Sequence, residues 1–329
     1  MRRREFIGLI GVAIMWPAAA QQRVPRIAIV HPSLPVAALG LAGSAQWRGF
    51  FAELERQGFA EGQNLVVQRY SGEGRTDHYA ELAKEVVSSN PDVIFTASFR
   101  MIESLKGAGA TMPIVASTSD PIALGVALGL ARPEGNITGV IPDAGIEVND
   151  KRLALLKELV PHAARFGYLA PSATMGSAVG RRVQDACQRM GVALIKGALE
   201  SPIDRSEYAR VFTLLAQARV DALLVASDAE SLTHSRLIAE LAAKGRLPAI
   251  YPYRGYVEAG GLMAYAVDLV DLYRHAAGQI VQLLKGAKVI DIPFYQATTF
   301  KLLINLKIAK ELGLTAPPSL IARADEVIE

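Results

Sequence analysis

Two short tracts set a carboxylate beside hydroxyl groups directly after an apolar run. They are Ser117-Thr118-Ser119-Asp120-Pro121 and Ala226-Ser227-Asp228. Similar polar loops follow other apolar runs: His31-Pro32-Ser33, Ala97-Ser98, and Pro171-Ser172-Ala173-Thr174. Tyr251, Tyr253 and Tyr265 close or follow apolar runs in the second half. Serine and threonine hydroxyls, together with the free amides of a helix N-terminus, suit a carboxylate. An aspartate such as Asp120 or Asp228 suits an ammonium, and tyrosines at a rim suit an apolar or aromatic side chain. These groups together fit a zwitterionic amino acid better than a sugar or a phosphate. The candidate ligand-binding set is therefore His31, Ser33, Ser98, Ser119 and Asp120 from the first half, and Ser172, Thr174, Ser227, Asp228, Tyr253 and Tyr265 from the second. Each loop taken singly is also explained by capping and turn formation.

No catalytic signature accompanies these groups. The chain has no G-x-S-x-G, H-E-x-x-H or Walker pattern, and Gly40-Leu41-Ala42-Gly43 does not make a dinucleotide fingerprint. The histidines at 31, 78, 162, 234 and 275 are scattered. The single Cys187 excludes an intramolecular disulfide and a cysteine metal cluster. The expectation is a protein without catalytic residues, cofactor or metal. The formal charge of +3 is spread along the chain without a basic stripe, so nucleic acid is not an expected partner.

The elements that must position the loops alternate between strand and helix. Arg26–Val30, Asn64–Tyr70, Asp92–Ala97, Pro113–Ala116 and Ile137–Ile141 read as strands, with helices over about 44–57, 76–88 and 99–107 between them. Trp47, Phe50, Phe51 and Leu54 mark one apolar helix face, and Thr76 or Asp77 is expected to cap the helix that follows. Such repeats imply a parallel sheet with right-handed crossovers. The second half repeats the plan. Val220-Asp221-Ala222-Leu223-Leu224-Val225-Ala226-Ser227 echoes Pro91-Asp92-Val93-Ile94-Phe95-Thr96-Ala97-Ser98. At 329 residues there is room for about two domains. The expected division puts 24–141 plus about 267–290 in one lobe and 142–266 plus about 291–329 in the other. Pro142-Asp143-Ala144-Gly145 reads as a hinge, and Phe294 to Leu303 as one last extended stretch. The polar loops sit at strand carboxyl ends, where open α/β sheets bind ligands.

Residues 1–20, MRRREFIGLIGVAIMWPAAA, pair a basic start with a short apolar run and Ala18-Ala19-Ala20. That is the pattern of a cleaved signal peptide, and Arg3-Arg4-Glu5-Phe6-Ile7 also fits a twin-arginine form. The expectation is export to a periplasm by either route. Cleavage removes three arginines and one glutamate, which lowers the charge from +3 to about +1.

Several tracts carry a family likeness: FFAELERQGFAEGQN at 50–64, Ser119-Asp120-Pro121-Ile122-Ala123-Leu124-Gly125, LARPEGNITG at 130–139, VEAGGLM at 257–263, and PPSLIARAD at 317–325. With these the chain resembles ABC-transporter substrate-binding proteins of the tryptophan/tyrosine-binding type over nearly all of its length after residue 20. The resemblance implies an α/β fold of two Rossmann-like lobes, each a parallel sheet flanked by helices and joined by a multi-strand hinge, as in type I periplasmic binding proteins. It implies a small ligand held between lobes that close, no catalysis, a monomer, and an ABC permease as partner. Sensing through a membrane receptor, or an enzyme on the same fold, are the alternatives. Three cleft positions depart from the family pattern: Ala97-Ser98-Phe99-Arg100, Ala170-Pro171 and Ala264-Tyr265-Ala266. There Phe99 adds an apolar wall and Arg100 a cation, so Phe99 joins the candidate set.

Overall fold

In a computed structural model of the chain, residues 23–329 are described except Ala144 and Ile146. The N-terminal segment read as a signal lies outside them.

The first run of elements is β1 (Arg26–His31), α1 (Ala45–Arg56), β2 (Val66–Ser71), α2 (Tyr79–Ser88), β3 (Val93–Thr96), α3 (Phe99–Gly107), β4 (Ile114–Ser117) and β5 (Ile137–Ile141). The chain then builds a second unit. This comprises α4 (Val148–Leu159), β6 (Arg165–Pro171), α5 (Ser172–Gly176), α6 (Ala178–Arg189), β7 (Ala193–Leu199), α7 (Arg205–Gln217), β8 (Ala222–Val225), α8 (Ala229–Thr233), α9 (Ser235–Lys244), β9 (Ala249–Tyr251), α10 (Arg254–Glu258) and β10 (Met263–Val267). It returns to the first unit with α11 (Leu269–Leu284) and β11 (Tyr295–Gln296). It finishes in the second with β12 (Phe300–Asn305), α12 (Leu306–Glu311), α13 (Pro318–Ile321) and β13 (Glu326–Ile328).

The described strands form two sheets, ordered β11-β5-β4-β3-β1-β2 and β13-β12-β10-β9-β8-β6-β7. The core five strands of each follow the same order, so the resemblance between residues 91–98 and 220–227 has a structural basis: β3 and β8 occupy equivalent places. A shared contact explains the leading aspartate of each. The Asp92 Oδ2 accepts from the Arg26 amide at 2.7 Å, and the Asp221 Oδ2 accepts from the Arg165 amide at 2.8 Å. Each aspartate ties the start of its strand to the first strand of its own sheet. Continuous apolar runs such as 222–225 are buried on both faces, as parallel strands require.

Two details differ from expectation. The last extended stretch is not one strand. Its first part, β11, pairs parallel with β5 in the first sheet, and its second part, β12, pairs antiparallel with β10 in the second. Residues 291–296 therefore stay with the first lobe, and the second sheet is mixed rather than parallel throughout. The turn at Thr76–His78 precedes α2 as a 3-10 helix, and neither Thr76 nor Asp77 caps it by side chain. Two short strands cannot be separated by periodicity when Ala297-Thr298-Thr299 between them contains no glycine or proline.

The first lobe closes around Trp47, Phe50, Phe95 and Tyr273, whose ring centroids lie 5.1 to 6.5 Å apart. Tyr273 comes from α11, which packs along α1. Gly49 permits that approach, because a Cβ there would lie 2.8 Å from Val270 Cγ1. Thus a helix encoded after the second lobe completes the core of the first. The main chain crosses between lobes three times, after β5, after β10 and after β11.

Candidate functional site

The carboxyl ends of β3, β4 and β8 converge on a space between the lobes that is open to solvent at its mouth. Ser98, Phe99 and Arg100 at the start of α3 form one wall with Thr118 and Ser119 after β4. Ser227, Asp228 and Glu230 after β8 form the opposite wall with Thr174. Tyr168, Tyr253 and Tyr273 line the space and are almost fully buried. The cleft therefore combines aromatic surface with a few convergent polar groups, as ligand sites do.

Its floor is an ion pair at the first crossing. The Arg152 guanidinium, 0% exposed, donates to Asp143 Oδ1 at 3.2 Å, to Ser227 Oγ at 3.0 Å and to the Tyr265 carbonyl at 3.2 Å. Asp143 also accepts from Ser119 Oγ at 3.2 Å and Ser227 Oγ at 3.1 Å. One buried pair thus joins a first-lobe loop, a second-lobe loop and two of the crossings. Tyr253 Oη donates to the Ser227 carbonyl at 3.1 Å and fixes the same loop.

The second-lobe wall carries two acids. Asp228 Oδ1 accepts from the Ser231 amide at 2.7 Å and caps α8, while its Oδ2 is shut off from water and has no partner among the described residues. Burial, reinforced by the neighbouring Glu230 charge, pushes the Asp228 carboxyl up to about 8. Burial also raises Glu230, against the opposing pull of the Tyr79 hydrogen bond and the Arg100 charge. On the facing wall, the buried Thr118 Oγ1 also lacks a partner. Arg100 has no ion pair or side-chain hydrogen bond among the described residues. The lobes are shut against each other. Ser33 Oγ meets Thr233 Oγ1 at 2.8 Å, the Ile203 amide donates to the Gly74 carbonyl at 3.0 Å, and Ser201 Oγ donates to Asp77 at 3.1 Å.

Of the residues expected from sequence, Ser98, Phe99, Ser119, Thr174, Ser227, Asp228 and Tyr253 line the cleft. Five do not. Asp120 turns its Oδ1 to the amides of Ile122 and Ala123, both at 3.0 Å, and acts as a turn cap. His31 is buried. Its Nδ1 accepts from the amides of Ser33 and Leu34, and burial lowers it to about 3, so it is a neutral loop brace. Ser33 makes a lobe-to-lobe contact, and Ser172 Oγ donates to Glu200 at 3.0 Å. The Tyr265 ring stacks on Phe300 at 5.4 Å. Sequence reasoning missed Arg152, Glu230, Asn149 and Tyr168. Arg152 had left a signal: it precedes Leu155, Leu156 and Leu159 at i+3, i+4 and i+7, which puts a charge on the buried helix face. Glu230 left none, since α8 is too short to show a period.

A doubly wound pair of lobes with a polar and aromatic cleft between them defines a two-lobed ligand-binding protein. The ABC transporter substrate binding protein family matches residues 38–328, and the chain belongs to that family. A tyrosine-binding protein of Clostridioides difficile is 24% identical over 288 residues, covering 87% of this chain and 79% of that protein. Among solved structures, a conserved domain protein from Vibrio cholerae superposes with a TM-score of 0.80 at 21% identity, covering 93% of this chain and all (100%) of that one. An ABC domain in complex with L-Trp from Streptococcus pneumonia gives a TM-score of 0.77 at 25% identity, with the same coverage of 93% and 100%. The chain is thus a substrate-binding protein of an ABC transporter. No helix of the described residues is long and apolar enough to cross a membrane.

Proposed function

We propose that the protein is an exported, periplasmic receptor that captures an aromatic L-amino acid between its lobes and presents it to an ABC permease. The observation that carries this reading is the pattern of unmatched groups in the cleft. Thr118 Oγ1 and Asp228 Oδ2 are buried without partners among the described residues on opposite walls, and Arg100 lines the same space with its charge acting on Glu230. Buried polar groups are normally hydrogen-bonded, and of the unmatched ones these two line the cleft, where a ligand can reach them. The amides of the α3 N-terminus suit a carboxylate. Asp228 suits an ammonium. Phe99, Tyr168, Tyr253 and Tyr273 suit an aromatic ring. The names of the relatives, one binding tyrosine and one solved with L-Trp, point the same way. The three crossings serve as the hinge.

The test is calorimetric titration of the protein with L-tyrosine, L-tryptophan and their des-amino acids. One-to-one binding of an L-amino acid, weakened strongly by removal of its amine, is expected. Indifference to the amine would sink the Asp228 assignment, and no binding of either amino acid would sink the aromatic class. Export is checked by sequencing the N-terminus of periplasmic material, which should begin near residue 21.

A further inference from the structure

Glu230 is the point at which the two lobes meet through a carboxylate. It lies at the start of α8 in the second lobe and is 3% exposed. Its Oε1 accepts from Tyr79 Oη at 3.1 Å and from Ser98 Oγ at 3.4 Å, both in the first lobe. Two residues earlier stands Asp228 with its unpartnered Oδ2. Tyr79 faces the pair from α2, Arg100 from α3, Tyr208 from α7, Tyr168 from β6 and Tyr253 and Tyr256 from the start of α10, and burial raises each of these tyrosines, so all stay neutral. His234, at the end of α8, meets the Glu230 backbone carbonyl at 3.0 Å rather than its carboxylate. Arg152 is held by Asp143. Arg100 is therefore the available cation among the described residues, and one cation set against the buried Glu230 and the half-buried Asp228, whose Oδ2 is shut off from water, leaves a negative charge uncompensated. Opening the lobes takes Tyr79 and Ser98 away from Glu230 and lets water reach both acids. An uncompensated charge is costly only where water is excluded, so the cost belongs to the closed form.

We propose that the Asp228–Glu230 pair makes closure of the cleft require a positive group at Asp228, supplied by a proton in the empty protein and by the ammonium in the loaded one, the ligand's carboxylate going to the amides at the start of α3 while Arg100 stays with Glu230. The second half rests on the amine-ligand reading above; the first half does not. The proton comes from solvent when the empty cleft shuts and returns to solvent when an ammonium takes its place. The pair thereby sets specificity: an acid without an amine closes the cleft only where the proton is still bound. Carboxyls in an open, hydrated cleft titrate near about 4, whereas burial in the shut cleft raises Asp228 to about 8. A group raised in the closed form favours that form below the open value and loses the advantage as pH climbs through the closed value. Closure of the empty protein should therefore fade between about pH 4 and 8.

The experiment is small-angle scattering of the ligand-free protein at pH 5 and pH 8.5, with circular dichroism as a check on folding. The wild type should be compact at pH 5 and extended at pH 8.5. Glu230→Gln and Asp228→Asn should each be compact at both, because either leaves Arg100 balanced by one carboxylate. An equal radius of gyration for the wild type at the two pH values overturns the proposal, whatever the variants do. L-tyrosine should then compact the wild type at pH 8.5, and 3-(4-hydroxyphenyl)propanoate should not. Compaction by both overturns the ammonium half. If calorimetry finds that neither compound binds at pH 5, the aromatic-ligand reading has failed, and the ligand-free scattering still decides the proton half.

Discussion

Replacing Asp228 with Asn should move stability and binding in opposite directions. The side chain keeps its size and still caps α8, since Asn caps about as well as Asp. What changes is the charge. In the unfolded chain the carboxyl titrates near 3.8, and in the shut cleft near 8. Because the folded value is the higher one, its contribution is intact below about pH 4 and is lost progressively up to about pH 8. At pH 7 most of that contribution is gone, less what the empty protein escapes by opening. Asp228→Asn should therefore raise the apo melting temperature at pH 7 and flatten its decline between pH 5 and 8. The same change removes the partner of the ligand's ammonium. Truncating one member of a buried charge pair costs on the order of 2–5 kcal/mol, so affinity for L-tyrosine should fall by about thirtyfold or more. Scanning calorimetry across pH, paired with titration calorimetry at pH 7, reads both. A variant with the stability and the affinity of wild type would show that Asp228 is only a helix cap, and would refute the charge argument.

Arg152→Met should destabilise the fold by about 3–5 kcal/mol in urea unfolding, since Asp143 would be left buried without its cation. If the double variant Arg152→Met/Asp143→Leu is no more stable than Arg152→Met alone, the unpaired charge is not the cause. Gly74→Ala should favour the open form and slow ligand closure in stopped-flow fluorescence. Gly74 has φ of +75°, and a Cβ would lie 2.8 Å from the Ile203 carbonyl oxygen across the lobe contact. Cys187 should resist maleimide at pH 8 in the folded protein, because burial pushes its thiol up to about 11; rapid labelling without unfolding would contradict that burial.

The fold was legible because its signals are local and repeated. Trp47, Phe50, Phe51 and Leu54 announce a helix face, and the pairs Asp92/Ser98 and Asp221/Ser227 mark equivalent strands in two lobes. What failed was the assignment of short elements near the last crossing. There β11, two residues long, is fixed by its pairing with β5 rather than by any pattern of its own. Sequence can also give the type of a polar loop without its direction. Ser119 and Asp120 are neighbours, yet the serine reaches the cleft and the aspartate folds back onto the amides of Ile122 and Ala123.

Asp120 and Asp228 read alike as residues after a strand, and the difference between them lies in their surroundings. Both cap a following turn with Oδ1. Asp120 does so in a half-buried turn outside the cleft lining, its Oδ1 turned to the amides of Ile122 and Ala123. Asp228 does so at the lobe contact, two residues before the Glu230 carboxylate that Tyr79 and Ser98 meet, and its Oδ2 is shut off from water. A desolvated acid with a free oxygen is reactive toward cations in a way that a hydrated cap is not. That property belongs to the closed arrangement of two lobes. It is therefore absent from either half of the sequence taken alone, and it depends on residues some 150 positions apart, Tyr79 and Glu230.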